Sequence, residues 1–446
     1  MCLVQKESCI LRLQQRPYNV PSRMYLLYSA LLATAMVLAM PFWLWQILRH
    51  GKYRTGFNER WGKVPPRILK EPVEPVIWIH AVSVGEVLAI SGLVEKLREQ
   101  FVGYRVVVST TTDTGQKLAR QRFGEQNVFY FPLDFAFAIR PYLKVLKPHL
   151  VIMAETEFWP NFLRLARAHG ARISVVNARI SDHSWPGYRR FKSLLQRVLQ
   201  HVDLFLTQTE EDKRRLVDIG APENRVQVTG NLKFDTPEPP TPPILAELKT
   251  ALVLEGAGPV LVCGSTVESE EQMLAPVFEN LFRKHPRALV LLAPRHPERF
   301  DSVAALLEQK RIRYVRRSQR TGEKIAGSVL LLDTIGELSA LYALADVAFV
   351  GGSLVPRGGH NILEPARYGA AIVVGEHTEN FRDIIELFRR QNAVKVTNPS
   401  NVEKDLFALM ADESGRLTLG ELGAEVLQTQ TGSTERTLSA LAELLR

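Results

Sequence analysis

The sequence predicts an α/β protein made of two Rossmann-like domains facing a cleft, preceded by an N-terminal membrane-anchor helix. Three observations predict it. Apolar, β-rich runs alternate with helical patterns along most of the 446 residues. A proline-rich stretch cuts that alternation into halves of similar size. An uncharged segment, Met24 to Leu48, stands in front of both. Hydrophobic residues make up 46% and charged residues 23%, close to the globular norm, which excludes wholesale disorder. The three cysteines, Cys2, Cys9 and Cys263, are too few and too scattered for a disulfide framework or a zinc ribbon, so the main body belongs in a reducing compartment. Lys and Arg outnumber Asp and Glu by 56 to 47, and the net +9 suits anionic partners such as phosphates, acidic lipid or nucleic acid.

The segment 24–48 is long enough for a membrane span, which takes about 20 apolar residues. Tyr25 and Tyr28 mark one end and Trp43 and Trp45 the other, as interfacial belts do. It is longer than a signal-peptide core, and no A-x-A cleavage site follows. Pro41 is expected to kink it. Orientation turns on the first residue. With a Met1 start, Lys6, Arg12, Arg16 and Arg23 oppose Arg49, Lys52, Arg54, Arg60 and Lys63 across the span. With a Met24 start, the nearby positive charge lies downstream, which makes that side cytoplasmic. Residues 1–23 show no helical or strand period and read as a non-native or disordered extension.

Five prolines in the eight residues Thr236–Pro243 make a stiff linker. It separates a domain over 49–235 from one over 244–446. In the first, strands are expected at 76–80, 105–110, 128–132, 149–154, 172–177, 204–209 and 226–230. In the second they are expected at 259–264, 288–294, 328–333, 347–352 and 371–375. Helical patterns such as Val84–Gln100 and Tyr188–Gln200 lie between. Apolar strands alternating with helices mean parallel, doubly wound sheets, whose ligands sit at the carboxyl ends of strands.

Those strand ends carry the candidate chemistry. There is no G-x-G-x-x-G, no P-loop and no H-E-x-x-H, and the ten histidines lack ligand spacing, so no metal and no cofactor is expected. In the second half, Gly264-Ser265-Thr266 follows the first strand and Pro294-Arg295-His296 the second. Gly351-Gly352-Ser353 follows the fourth, and Gly358-Gly359-His360-Asn361 opens a helix expected over Ile362–Tyr368. Glycines before a helix let backbone N–H groups approach a phosphate, and Glu364 in that first turn could accept from a ribose diol. In the first half, Ser83 and Glu86 of the run His80–Glu86 form an S-x-x-E capping box. Glu86, with Gly85 beside it, would also face the cleft, where a carboxylate can serve a hydroxyl substrate as general base. The field of the helix start is expected to keep it ionised at neutral pH. Glu155 and Glu157, followed by Asn161, end another strand. Arg179, Ser181, Tyr188, Arg189 and Arg190 interleave basic, hydroxyl and aromatic side chains in a manner that suits anionic headgroups. Lys233 ends the last strand before the linker.

Together these motifs resemble the 3-deoxy-D-manno-octulosonic acid (Kdo) transferase family, inner-membrane enzymes of lipopolysaccharide synthesis with a GT-B fold. The resemblance runs from Met24 to the C-terminus. It is carried by the apolar anchor followed by Arg60-Trp61-Gly62, then by HAVSVGE, STTTDTG (109–115), ETEFWPN, NARIS, GNLKFD, GST, PRHPER, GGSL and GGHNILEPA. It implies an inverting, metal-independent transfer of Kdo from CMP-Kdo to a hydroxyl of a lipid A precursor, lipid IVA, with no nucleic-acid partner. It implies a single-pass protein of the bacterial inner membrane with cytoplasmic catalytic domains. Carried onto matching positions, Glu86 becomes the general base, and Glu155 or Glu157 supports the acceptor or the transition state. Ser265, Thr266, Arg295, Gly352, Ser353, Asn361 and Glu364 become the CMP site, with Lys233 on the donor side. Two other classes share this architecture: a GT-B relative acting on another nucleotide sugar, and a non-catalytic, membrane-tethered binder. An epimerase has no evident use for the anchor, and a binder would have no turnover to lose on exchange of Glu86.

Overall fold

The computed structural model describes residues 22–50, 55–69, 74–182, 184–236 and 241–445. Most of the extension expected over 1–23, the linker residues 237–240 and the side chains of Trp43 and Trp45 lie outside that part. The chain forms two compact units, Met1–Pro237 with Gly432–Arg446, and Glu238–Thr431.

Unit 1 holds seven strands: β1 (Val76–His80), β2 (Arg105–Thr110), β3 (Val128–Tyr130), β4 (Pro148–Ala154), β5 (Arg172–Ala178), β6 (Leu204–Thr207) and β7 (Val226–Val228). They pair in the order β3-β2-β1-β4-β5-β6-β7, and every pair is parallel. Side chains alternate between two apolar layers. Trp78, Phe129 and Phe162 fill one face, and Ile77, Ile79, Val106 and Val108 fill the other. Burial on both faces is why these strands read as unbroken apolar runs.

Unit 2 holds β8 (Val260–Thr266), β9 (Leu289–Pro294), β10 (Tyr314–Arg316), β11 (Ser328–Leu331), β12 (Val347–Val350), β13 (Ala371–Val374) and β14 (Lys395–Val396). The order is β10-β11-β9-β8-β12-β13-β14, again all parallel. The twelve expected strands are present. β10 and β14 were not expected, since one is short and basic and the other has two residues.

Three features differ from expectation. The helix expected over 84–100 is two helices, Val84–Ala89 and Ser91–Gln100, turning at Ile90. The stretch expected as Tyr188–Gln200 is likewise two, Trp185–Arg190 and Lys192–Leu199. The last helix, Ser433–Leu445, belongs to unit 1 and not to the second half of the chain. It buries Leu438 and Leu441 in the Ile77–Ile79 layer. Arg436 Nε donates to the Thr229 carbonyl at 2.9 Å, and the Asp235 carboxylate accepts from the Gly432 N–H at 2.8 Å.

The N-terminal helix spans Ser22–His50, and its stretch Arg23–Pro41 is long and apolar enough to cross a membrane. Among its described residues, the start packs on unit 1. Tyr25 is 3% exposed, its hydroxyl 2.7 Å from His201 Nε2 and its ring 4.6 Å under the Arg164 guanidinium. Leu26, Leu27, Leu31, Val37 and Leu38 are exposed.

Candidate functional site

In each sheet the strand order reverses beside the first strand of the unit, between β1 and β4 in unit 1 and between β8 and β12 in unit 2. Loops leaving these neighbours splay apart and open a crevice at the carboxyl ends, the usual ligand position in such sheets. Candidate residues fall at both switch points, while those at 179–190 follow β5, Lys233 follows β7, and Arg295 and His296 follow β9.

In unit 1, β1 delivers Ser83 and Glu86, and β4 delivers Glu155 and Glu157. Glu86 is 8% exposed. Its Oε2 accepts the Val82 N–H at 2.8 Å and its Oε1 accepts the Ser83 hydroxyl at 2.9 Å. The expected capping box is not formed: the Ser83 hydroxyl donates to the carboxylate and makes no capping bond to the helix, and the carboxylate takes the N–H of Val82 and not that of Ser83. Burial, followed by the charge of Glu155 and more weakly that of Glu157, pushes the Glu86 carboxyl up to about 7. The expectation of a carboxylate held fully ionised by the helix start is thereby corrected. The helix has six residues, and desolvation and like charge outweigh its dipole. Glu157 is raised by the same two causes, burial first and then Glu155. Lys233 Nζ lies 3.3 Å from Glu155 Oε1. Asn177 fixes that loop, its Oδ1 accepting the Leu232 N–H at 3.0 Å. The STTTDTG motif buttresses the Glu86 loop, since the N–H groups of Thr111 and Thr112 both donate to the Val82 carbonyl.

His80 is not a rival base. It is fully buried, stacked on Phe131 at 3.9 Å, with its pKa driven down to about 3 by desolvation.

The other acceptor-side candidates divide. Tyr188 sits edge-on to Phe158, and its hydroxyl titrates high through burial and the charge of Glu157, so it belongs to the carboxylate cluster. Asn161 is buried and its amide serves the fold, donating to the Asp134 carbonyl at 2.7 Å and to Ser29 Oγ at 2.9 Å. Ser181 Oγ accepts from the Ser184 N–H, a local turn contact. Arg189 lies 3.6 Å from Asp218, Arg190 is exposed, and the carbonyl of Arg179 accepts from Thr156. Gly85 is exposed, and a Cβ there would meet nothing closer than Ser83 Oγ at 3.9 Å, so no close approach requires it. Asp134 was missed. It accepts the N–H groups of Asn161 and Phe162, and burial lifts it to about 6.

In unit 2, Gly264 has no room for a side chain, since a Cβ would lie 1.9 Å from the Tyr342 hydroxyl. Ser265 follows with φ +55°. Thr266 and Ser353, both expected at the donor, are fully buried and spent on the fold. Thr266 Oγ1 donates to Glu271, while Ser353 Oγ donates to the Val350 carbonyl and accepts the Gly375 N–H. The N–H of Gly352 points to the Glu270 carboxylate rather than to open space. Gly351 packs directly against that carboxylate, and Pro294 is buried. Gly358 and Gly359 take φ of +86° and +72°, and the Gly359 N–H donates to the Gly352 carbonyl. The helix after them is Leu363–Arg367, five residues long, so its dipole adds little.

Of the unit 2 candidates, Arg295 and His296 are exposed, and Ser265, His360, Asn361 and Glu364 are half-buried. The His360 ring lies against Gly352, and desolvation with the charges of Arg295 and His296 lowers it to about 4, leaving a neutral imidazole. Glu364 is raised by burial, an effect opposed by hydrogen bonds from Asn361 and Ser339.

Two seven-stranded parallel units, each with strand-end loops at a switch point, have the GT-B fold. UDP-GlcNAc 2-epimerase from Neisseria meningitidis shares the fold at a TM-score of 0.56 and 12% identity, covering 83% of this chain and 100% of its own. Residues 55–236 match the family model described as 3-deoxy-D-manno-octulosonic-acid transferase (kdotransferase). The 3-deoxy-D-manno-octulosonic acid transferase of Haemophilus influenzae is 32% identical over 422 residues, 94% of this chain and 98% of its own. That of Bordetella pertussis is 35% identical over 418 residues, 90% and 95% of the two chains. The chain belongs to the Kdo transferase family, the glycosyltransferases of lipopolysaccharide biosynthesis.

Proposed function

We propose that this Kdo transferase takes CMP-Kdo as donor and lipid IVA as acceptor, and inverts the anomeric centre in a single displacement. Unit 1 is the acceptor unit and unit 2 the donor unit. The observation that carries the reading is Glu86: a buried carboxylate poised near neutrality at the β1/β4 switch point, with two further carboxylates beside it. In the step, the acceptor hydroxyl attacks the anomeric carbon of Kdo. Its proton passes to Glu86 as the new C–O bond forms, and CMP departs with the electrons of the old one. Proton removal at that moment makes a neutral hydroxyl a competent nucleophile. Glu155, balanced by Lys233, and Glu157 keep Glu86 basic and are placed to accept hydrogen bonds from the acceptor sugar.

On the donor side, Glu364 is suited to the ribose diol of CMP, and Arg295 and His296 to its phosphate. A monophosphate leaving group needs less countercharge than a diphosphate, and fixed cations and dipoles can supply it. The apolar stretch Arg23–Pro41 supports residence at the bacterial inner membrane as a single-pass protein, with both units on the cytoplasmic side where a nucleotide donor is available. The test is incubation of the protein with CMP-Kdo and lipid IVA, reading added Kdo by mass. No mass gain with these two substrates refutes the assignment.

A further inference from the structure

The geometry points to Glu270 as a positioning residue of the donor unit, a built-in anion that shapes the Gly352–Leu354 turn and thereby the ground on which the donor binds. Glu270 opens the helix Glu270–Lys284 and is fully buried. Its Oε1 accepts the N–H groups of Ser353 and Leu354, both at 2.9 Å, and its Oε2 accepts those of Gly352 at 2.7 Å and Val267 at 3.0 Å. Three successive amides aimed at one carboxylate form a nest of the kind that elsewhere cradles phosphate. Here the anion belongs to the chain itself. Two consequences follow.

The turn after β12 is locked without a ligand. Gly351 sits so close that a Cβ would come within 2.8 Å of Glu270 Oε2, and Gly352, at φ +70°, receives the Gly359 N–H on its carbonyl and the His360 ring against its Cα. The orientation of the Gly358–Asn361 loop thus depends on Glu270 through Gly352. The amides of Gly352, Ser353 and Leu354 are also closed to the donor, so its charge must be met by side chains such as Arg295. This inference rests on the donor assignment of unit 2, and the experiment separates the two.

The variant is Glu270→Ala, which removes the anion and leaves a vacancy of carboxylate size. CMP affinity is measured by calorimetry, amide exchange at 350–361 by mass spectrometry, and both are repeated with formate added and with chloride as control. The expected result is faster exchange at Gly352–Leu354, CMP affinity down about tenfold or more, and recovery of both with formate but not chloride. Donor KM should rise with little change in the KM for acceptor. Faster exchange with unchanged CMP affinity overturns the positioning role, as does unchanged exchange. If Glu270→Ala does not fold, Glu270→Asp carries the same test, since it keeps the charge and shortens its reach. Loosened amides in that variant without weaker CMP binding also overturn the role. Arg295→Ala and Glu364→Ala serve as references. If neither alters CMP binding, the donor assignment fails. If they do and the Glu270 variants do not, only the present inference fails.

Discussion

Replacing Glu86 with Gln removes the proposed base and should also make the folded protein more stable above neutral pH. The sign follows from the environment. Glu86 titrates near 7 in the folded chain against an ordinary value of 4.5. The native state therefore holds a proton that the unfolded chain gives up. The stability this contributes is complete below about pH 4.5 and is lost as pH rises through about 7. At about 1.4 kcal/mol per pH unit, ionising Glu86 in place costs about 3 kcal/mol. Gln cannot ionise. Its carbonyl can still accept the Val82 N–H, and its NH2 can donate to Ser83 Oγ. Relative to the parent, Glu86→Gln should therefore gain about 1–3 kcal/mol at about pH 8.5 and close to nothing at about pH 4.

Activity should move the other way. Loss of a positioned base lowers kcat by about 10²–10⁴. In the parent, kcat/KM should rise with pH and level above about 7, a value that belongs to the carboxylate cluster as a whole. The assays are urea unfolding at the two pH values and kcat from Kdo-labelled product. A gain in stability with loss of activity fits a buried base. If the variant gains no more stability at the higher pH than at the lower, Glu86 is not the charge-strained carboxylate described. If it keeps more than about a tenth of kcat, the base must be sought at Glu155 or Glu157.

Lys233→Met should shift the acid limb of kcat/KM upward by about half to one pH unit, because Glu155 would press on Glu86 with its cation gone; an unmoved limb counts against that coupling. Glu364→Ala should weaken CMP binding by about 1.5–3 kcal/mol, the range for hydrogen bonds to a charged group, and unchanged affinity in a folded variant removes Glu364 from the ribose. Deleting 432–446 should destabilise unit 1 by about 3–6 kcal/mol, from two buried leucines at about 1.5–3 kcal/mol each; limited proteolysis should then cut unit 1 first, and equal susceptibility of the two units argues against the docking. Deleting residues 1–48 should release a folded protein from the membrane fraction and depress turnover of bilayer-bound acceptor more than of detergent-dispersed acceptor. A deletion variant that still pellets with membranes refutes the anchor.

What was legible in the sequence was whatever depends on runs of one kind of residue. Strands such as VIWIH and RVVVST announce themselves because both faces are buried, so nothing polar interrupts them. β10, with Tyr314 and Arg316 only half-buried, carries no such signature. The C-terminal helix could be recognised as a helix but not assigned to unit 1, since Leu438 and Leu441 have the same pattern whichever core they fill. At the site, positions were legible and energetics were not. Glu86, Glu155 and Glu157 read as strand-end residues, and the structure brings them within electrostatic reach of one another. The ionisation of Glu86 was misjudged because local sequence shows a helix start, whereas its burial and its two acidic neighbours arrive from β4. Thr266 and Ser353 carry polar side chains after strands, which reads as ligand contact. That both are spent on Glu271, Val350 and Gly375 depends on contacts that sequence spacing does not reveal. The one signal that could have flagged Glu270 is the acidic pair Glu270-Glu271 just after GST, and such a pair reads equally well as a helix-start charge.

The two switch points handle their carboxylates in opposite ways, and that contrast bears on the chemistry. Unit 2 ties up two acidic groups near its loops. Glu270 is saturated by four backbone N–H groups, and Glu271 is held by both terminal nitrogens of Arg299 at 2.7 and 2.8 Å. Arg295 remains exposed at the strand end, beside an imidazole that stays neutral. That arrangement suits the anionic donor proposed for unit 2, since the charge of Glu270 and Glu271 is taken up internally. Unit 1 leaves its carboxylates in mutual repulsion, with one lysine among the three. Repulsion is destabilising for the fold, yet it is what lifts a buried glutamate to a pKa at which it can both lose and accept a proton near neutral pH. If stability alone had shaped β1 and β4, Glu86 would be better paired or absent. Its presence as a strained, half-protonated group is the strongest physical support for the proposal that bond formation belongs to unit 1 and leaving-group stabilisation to unit 2.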